Sequence, residues 1–210
     1  MDNYEKMAIT AEIGGAAISI HWSADCNMAC QYCYIDKNKK EMHDYNIKIR
    51  QALQDGSFLS HMKEKFEHQV DLIDQISLWG AEPTINGDLF ENFITECLDY
   101  FTKVDKIMFS TNALLGAEFL YNNFFLPLIH YAESRNRKIH FELQLSLDGP
   151  PEYNDASRHP GATENTLKTA YHLIKNTPKD HPLFSINLFT KITLDISYMR
   201  DMVDKGIEKF

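Results

Sequence analysis

The chain has 210 residues, of which 44% are hydrophobic and 24% charged, and its formal net charge is −9. This acidic balance argues against a nucleic-acid-binding protein, because such proteins usually carry a basic domain or stripe. No apolar run reaches the roughly 18 residues of a transmembrane helix, and the N-terminus lacks the basic and apolar regions of a signal peptide.

The predicted elements alternate between strands and helices. In chain order they are a strand at 16–22, helices from about 44 to 74, a strand at 75–79, a helix through 89–101, a strand at 106–111, helical sequence from about 116 to 136, a strand at 139–147, a helix at 163–176, a strand at 183–194 and a final helix from about 197. Such alternation predicts an α/β fold with a parallel sheet and right-handed crossovers. We see no repeat or linker, so residues 1–210 are interpreted as one domain.

Local signals refine three of the helices. The run Asp55-Gly56-Ser57 predicts a break in the first helical stretch, with Ser57 as the N-cap of a second helix. Pro127 predicts a kink in the stretch after the third strand. Cys97 lies on the apolar stripe of its helix and is therefore expected to be a core residue.

The fourth strand is the most regular. Its apolar and polar residues alternate, with Ile139, Phe141, Leu143, Leu145 and Leu147 on one face and His140, Glu142, Gln144, Ser146 and Asp148 on the other. The apolar face can pack on helices. Between helices of a β/α architecture, the polar face indicates a barrel whose interior is a working cavity, and His21 is a further candidate to line it. For these polar residues, a satisfied interior position remains the alternative.

Three of the four cysteines lie within eight positions directly after the first strand, at Cys26, Cys30 and Cys33, in the spacing C-x3-C-x2-C. Clustered thiolates bind soft metals or an iron–sulfur cluster. Since an ordinary [4Fe–4S] cluster takes four cysteines, three would leave one iron open to another ligand. Two alternatives stay open: structural zinc with His21 or His43 as a fourth ligand, and cysteines packed as small apolar residues on one helix face.

The ends of the predicted strands carry further motifs. Gly80-Ala81-Glu82-Pro83 follows the second strand, and Ser146-Leu147-Asp148-Gly149-Pro150 follows the fourth, with Arg158 twelve residues beyond the serine. Binding sites of parallel α/β folds lie at this edge of the sheet. Together with the cysteine spacing and the aromatic Tyr32, these motifs resemble the radical S-adenosylmethionine (SAM) superfamily over residues 15–202. The similarity is greatest to the branch of anaerobic sulfatase maturases and ribosomal-peptide maturases.

The resemblance implies a partial TIM-like (β/α) barrel and a defined chemistry. Cys26, Cys30 and Cys33 would bind three irons of a [4Fe–4S] cluster, and the fourth iron would bind SAM. Reductive cleavage of SAM would give a 5′-deoxyadenosyl radical that abstracts hydrogen from a peptide or protein. The implied SAM contacts are Gly80, Ala81, Glu82, Asn112, Ser146, Asp148, Arg158 and Asn187. Ala81 departs from the family's Gly-Gly-Glu-Pro pattern. Glu82 could instead cap a helix, Asp148 could be a turn residue and Arg158 could lie on the surface.

The family core usually has six βα units, whereas five are visible here. We therefore expect either an incomplete core at the C-terminus or a partner or dimer that covers an open sheet edge. The clustered cysteines do not resemble a disulfide scaffold, which favours a reducing cytoplasm. A flavodoxin or ferredoxin is the expected reductant. The alternatives are a radical SAM enzyme acting on a small molecule or RNA, and a non-catalytic module that binds a metal or cluster.

Overall fold

The computed structural model describes residues 10–12, 16–33, 39–193, 199–200 and 203–204, and it contains a single six-stranded sheet in the order β1-β2-β3-β4-β5-β6. The strands are β1 (Thr10–Glu12), β2 (Ala16–Ser23), β3 (Ile73–Gly80), β4 (Lys106–Thr111), β5 (Ile139–Ser146) and β6 (Phe184–Lys191). From β2 to β6 every neighbouring pair is parallel, and β1 is antiparallel to β2. The prediction of an α/β fold with five parallel strands, as in a partial barrel, is confirmed.

Helices connect the parallel strands. They are α1 (Lys39–Gln54), α2 (Ser57–Lys65), α3 (Phe90–Tyr100), α4 (Gly116–Leu120), α5 (Leu126–Arg135), α6 (Pro151–Ser157) and α7 (Ala162–Asn176), with 3-10 turns at Glu67–Leu72 and Pro83–Leu89 and a π-helical turn at Tyr121–Phe125. Within the described ranges no helix is long and apolar enough to cross a membrane.

The core lies between the sheet and these helices. The apolar side of β2, including Trp22, is fully buried against α3. Farther along the sheet, Phe109 and Phe141 contact Phe124 and Phe125 from the π-helical turn, with ring centroids 4.7 and 5.0 Å apart. Aromatic pairs of this kind contribute about 0.5–1.5 kcal/mol beyond the area that they bury. The core holds Cys97 as well, on α3 with no exposed surface, as predicted.

Several local predictions were wrong. The cap of α2 is Gly56 in a left-handed conformation (φ 76°), and Ser57 is the first helical residue, whose N–H donates to Asp55 Oδ1. The helical turns before β3 end earlier than expected, so that this strand begins at Ile73. Pro127 lies directly after the π-helical turn Tyr121–Phe125, which interrupts the regular helix at this point, and the kink expected near the proline stays a prediction.

Other elements differ from prediction at their ends, were not predicted, or lie partly outside the described residues. The three-residue β1 and the short α6 carry too little periodicity to be seen in the sequence. The last strand ends at Lys191, and position 194 lies outside the described residues. Of the predicted final helix, residues 199–200 and 203–204 are helical, and its start at 197 lies outside the described part.

The polar faces of the strands line the concave side of the sheet. On β5 the residues from Ile139 to Leu145 alternate between buried and partly exposed, as predicted, but at the strand end Leu147 is partly exposed and Asp148 is buried. Hydrogen bonds and ion pairs cross the strands on this face. Ser110 Oγ donates to Gln144 Oε1 (2.8 Å), and Lys106 Nζ lies 3.4 Å from Glu142 Oε1. The face is therefore polar and largely satisfied within the protein.

Candidate iron–sulfur and SAM site

The cysteine loop follows β2 directly. Polar N–H groups surround the sulfur of Cys26: the backbone N–H of Met28 lies 3.4 Å from it, and the side-chain amide of Asn112 lies 3.8 Å from it. The buried Nδ2 of Asn27 has no acceptor among the described residues. Donors beside a cysteine stabilise a thiolate, and a further N–H without an acceptor suits the sulfide of a cluster. This loop therefore fits an iron–sulfur group.

Burial opposes the charged form of Cys26 and Cys30 when no metal is bound. Although Cys26 is exposed as a residue, desolvation of its thiol raises the pKa to about 11. Desolvation raises the pKa of Cys30 as well. Metal ligation requires thiolates, so binding must displace these protons, and the positive charge of the metal provides the driving force. The loop is thus suited to bind a metal group more than to act as a free nucleophile.

The zinc alternative needs side chains gathered around one ion. No group of three His, Cys, Asp or Glu side chains in the described ranges is arranged in that way. An iron–sulfur cluster has a different requirement, because each cysteine binds a different iron. Of the two candidate fourth ligands, His43 Nδ1 lies 2.9 Å from Asp25 Oδ2, and His21 lies beside the ring of Tyr45.

The end of β3 is fixed against the segment that leads into the cysteine loop. Gly80 has a φ of 132°, and a Cβ on it would lie 1.9 Å from the carbonyl oxygen of Ser23. The N–H of Ala81 donates to that oxygen (2.8 Å), and the N–H of Glu82 donates to the carbonyl of Asp25 (3.0 Å). The backbone of Ala81 does not have a positive φ, so a side chain with a Cβ is tolerated at this position, where the family pattern has glycine. The glycine that the geometry requires is present.

Glu82 is 2% exposed and joins the ends of β3 and β4. Its carboxylate accepts hydrogen bonds from Thr84 N, Thr84 Oγ1, Thr111 Oγ1 and Asn112 N, at 2.7–3.2 Å. Burial raises the pKa of this carboxyl, and the four donors oppose the rise. The carboxylate caps the turn at Pro83–Leu89, which is the alternative that the sequence left open. Its contact with SAM stays a prediction.

Asp148 and Arg158 form a buried ion pair at the end of β5. Arg158 Nε and Nη2 donate to the two carboxylate oxygens at 2.6 and 2.8 Å, and the side chains are only 7% and 5% exposed. The same carboxylate accepts from the hydroxyl of Tyr32 (2.5 Å) and from the N–H of Thr193 after β6 (2.8 Å). Arg158 is therefore not a surface residue, and its contact with SAM stays a prediction.

The cysteine loop is also bound to α6. The backbone N–H and the side-chain amide of Gln31 donate to the carbonyls of Ser157 and Ala156, each at 2.9 Å. The guanidinium of Arg158 lies 5.5 Å from the centre of the Tyr32 ring. Gln31 could not be predicted as an anchor of the loop, because the contact joins positions about 125 residues apart. Only the position of Gln31 between two cysteines could have drawn attention to it.

The remaining predicted residues lie at different distances from the carboxyl edge of the sheet. Ser146 is buried at the end of β5, and Asn112 follows β4 beside Cys26. Asn187, expected at the same edge, instead lies midway along β6, where its side chain contacts His140 (3.2 Å). The structure therefore brings together the cysteine loop, Gly80–Glu82 and the Asp148–Arg158 pair but leaves Asn187 lower on the concave face.

Comparison with known proteins identifies the type of site. A family model described as "4Fe-4S single cluster domain" matches residues 14–160, which is well over half of the chain and includes the three clustered cysteines. The chain belongs to this 4Fe-4S single cluster family. Membership accounts for the donor set of the loop, since thiolates are the ligands of iron–sulfur clusters.

Two solved structures share the fold of this 4Fe-4S family member. Hexahistidine-tagged anSMEcpe with bound AdoMet (SAM) has a TM-score of 0.55 and 20% identity, over 90% of this chain and 45% of that chain. Native anSMEcpe with bound AdoMet has a TM-score of 0.52 and 17% identity, over 91% and 47%. The chain thus spans about half the length of these proteins. No curated protein is similar enough in sequence to count as a match. The family and the fold agree with the expected radical SAM type of chain.

Proposed function

We propose that this chain forms the core of a radical SAM enzyme that acts on a peptide or protein. The observation that carries the proposal is the meeting of three motifs at the carboxyl ends of the strands. The cysteine loop follows β2. The segment Gly80–Glu82, at the end of β3, hydrogen-bonds to the start of that loop. The Asp148–Arg158 pair after β5 binds the hydroxyl of Tyr32, which lies between two of the cysteines in the sequence.

When bound, a [4Fe–4S] cluster would supply the electron for the reductive cleavage of SAM, and SAM would supply the group that abstracts hydrogen from the substrate. The protein orients the reactants and excludes competing reactions. Cys26, Cys30 and Cys33 would hold the cluster. Ser146, Arg158 and the backbone at Gly80 and Ala81 are the proposed contacts of the methionine part of SAM, which the hydrogen bonds of Gly80–Glu82 and Arg158 near the loop support.

Two observations favour a peptide or protein substrate. The motifs of this chain resemble the maturase branch that acts on peptides and proteins, and its fold is shared with anSMEcpe, which was solved with bound AdoMet. In this chain, the concave face is lined by polar side chains and carries exposed aromatic rings near its carboxyl edge. A flavodoxin or ferredoxin is the proposed reductant, and the cytoplasm is the proposed location because the cluster needs a reducing environment.

The proposal is tested by the formation of 5′-deoxyadenosine. The protein is purified without oxygen, reconstituted with iron and sulfide, and mixed with SAM and dithionite. We expect product from the wild type and from Cys97→Ala, but none from Cys26→Ala, Cys30→Ala or Cys33→Ala. A wild-type protein that holds a [4Fe–4S] cluster and forms no product would contradict the catalytic proposal and favour a cluster-binding module. Zinc without acid-labile sulfide would contradict the cluster itself.

A further inference from the structure

Two exposed aromatic rings interrupt the polar concave face near its carboxyl edge. Trp79 on β3 is 40% exposed, and Phe189 on β6 is 45% exposed. Trp79 shares its face with Gln75 and Ser77, because side chains two residues apart point to the same side of a strand. An aromatic side chain offers a large, rigid apolar surface on which the stem of a ligand can pack.

Lys191 reaches Trp79 across the sheet. On a flat sheet β3 and β6, with β4 and β5 between them, would lie about 14 Å apart. The ammonium of Lys191 nevertheless lies 5.5 Å from the centre of the Trp79 ring. The sheet is therefore curved enough for the two side chains to meet above the concave face.

Lys191 is a cation without a carboxylate partner among the described residues. The acidic groups nearest in the sheet are already paired: Glu142 with Lys106 and His140, and Asp148 with Arg158. Carboxylates are abundant in this chain, whose formal net charge is −9. Lys191 nevertheless pairs with no carboxylate of the described residues, so its ammonium is available to an anionic ligand. The ring below it offers an apolar surface.

We propose that Trp79 and Lys191, with Phe189 beside them, form a subsite for a carboxylate carried on a short apolar or aromatic stem. The ammonium binds the carboxylate, and the rings pack against the stem. The inference rests on the proposed function for its location, since Trp79 directly precedes Gly80 and Ala81. A carboxylate side chain or the C-terminus of a peptide substrate has this chemistry, whereas the carboxylate of SAM stands on a carbon that also bears an ammonium group.

The test compares wild-type protein, reconstituted with iron and sulfide, with Lys191→Met, which keeps the apolar stem and removes the charge. Lys191→Arg restores the charge, and Lys179→Met removes an exposed lysine in the turn before β6. Binding of 3-phenylpropionate and of its neutral amide is followed by saturation-transfer NMR. Binding of SAM to the same preparations is measured by equilibrium dialysis.

We expect Lys191→Met to weaken 3-phenylpropionate binding about tenfold, the factor that corresponds to one charged hydrogen bond, and to leave the amide unchanged. Lys191→Arg and Lys179→Met should bind like the wild type. A loss confined to SAM would overturn the subsite, because Lys191 would then bind the methionine part of SAM and not a carboxylate on an apolar stem. If neither SAM nor 3-phenylpropionate distinguishes Lys191→Met from the wild type, the subsite is overturned. Iron content and 5′-deoxyadenosine formation in these preparations report separately on the proposed function.

Discussion

The guanidinium of Arg158 and the carboxylate of Asp148 form a buried pair that also fixes the hydroxyl of Tyr32. Removing one partner of a buried ion pair leaves the other charge uncompensated, which costs about 3–5 kcal/mol. We therefore expect Arg158→Ala to lower the free energy of unfolding by this amount in urea titrations. The control is Arg135→Ala, whose pair with Asp99 is exposed and should matter little. A loss no larger than that of the control would contradict the burial of the pair.

The same Arg158→Ala variant also tests the role of this arginine in SAM binding. Since none of the cluster ligands is changed, the reconstituted variant should keep the iron content of the wild type. Its affinity for SAM should fall, because Asp148 uses only Nε and one N–H of Nη2, and the N–H groups of the Nη1–Nη2 edge can donate to a second carboxylate. Equilibrium dialysis measures the affinity, and an unchanged value would make Arg158 a purely structural partner of Asp148.

Cysteine variants distinguish ligands from core residues. Cys30→Ala removes a cluster ligand, so we expect it to abolish cluster binding, measured as iron and acid-labile sulfide after reconstitution. Cys97→Ala removes one small buried group from α3 and should lower stability by about 1 kcal/mol with full iron content. Equal iron loss in the two variants would contradict the ligand assignment.

The turn after β3 provides a matched pair of glycine and alanine variants. In Gly80→Ala the new Cβ would overlap the carbonyl of Ser23, and the backbone would be strained at φ 132°. We expect a loss of about 3 kcal/mol or more in thermal or urea unfolding. Ala81→Gly restores the glycine of the family pattern and should cost no more than about 1 kcal/mol through chain entropy. Similar losses in both variants would show that the close approach to Ser23 does not decide this turn.

The raised pKa of Cys26 predicts a pH dependence in the cluster-free protein. Alkylation by iodoacetamide requires the thiolate, and a pKa near 11 leaves little thiolate at pH 8. The rate at Cys26 should rise about tenfold per pH unit from pH 8 and level off near pH 11. Peptide mapping by mass spectrometry measures the rate, with a free cysteine peptide as the reference. A plateau near pH 8.5 would contradict the desolvation of this thiol.

The strands, the long helices and the burial of Cys97 could be predicted because they rest on periodic patterns of apolar residues. Lys106–Thr111 was predicted to the residue, since its alternation is bounded on both sides by polar turns. The three-residue β1 could not be predicted, because its stability comes from pairing with β2 and not from its own sequence. The cap at Gly56 was missed because a serine in the next position is the stronger local signal.

In the candidate site, the motifs predicted which residues lie near the cysteine loop but not which of them contact one another. Asp148 and Arg158 were each predicted to contact SAM, and nothing in the sequence indicated that they pair with each other. Tyr32 was known only as an aromatic residue before a cysteine, and its hydrogen bond joins it to a position 116 residues away. Such contacts depend on how α6 packs beside the cysteine loop. The position of Asn187 was predicted wrongly for a related reason. Its distance from the carboxyl edge of the sheet depends on where β6 ends.

The two tryptophans of the chain lie in opposite surroundings. Trp22 has no exposed surface and packs 5.0 Å from Phe93, whereas Trp79 stands partly open on the concave face beneath Lys191. Acrylamide, which quenches indole emission by collision, should therefore reach Trp79 in the folded protein and Trp22 only after unfolding. The fluorescence of the cluster-free chain thus carries two separate signals, one for the integrity of the core and one for access to the cavity.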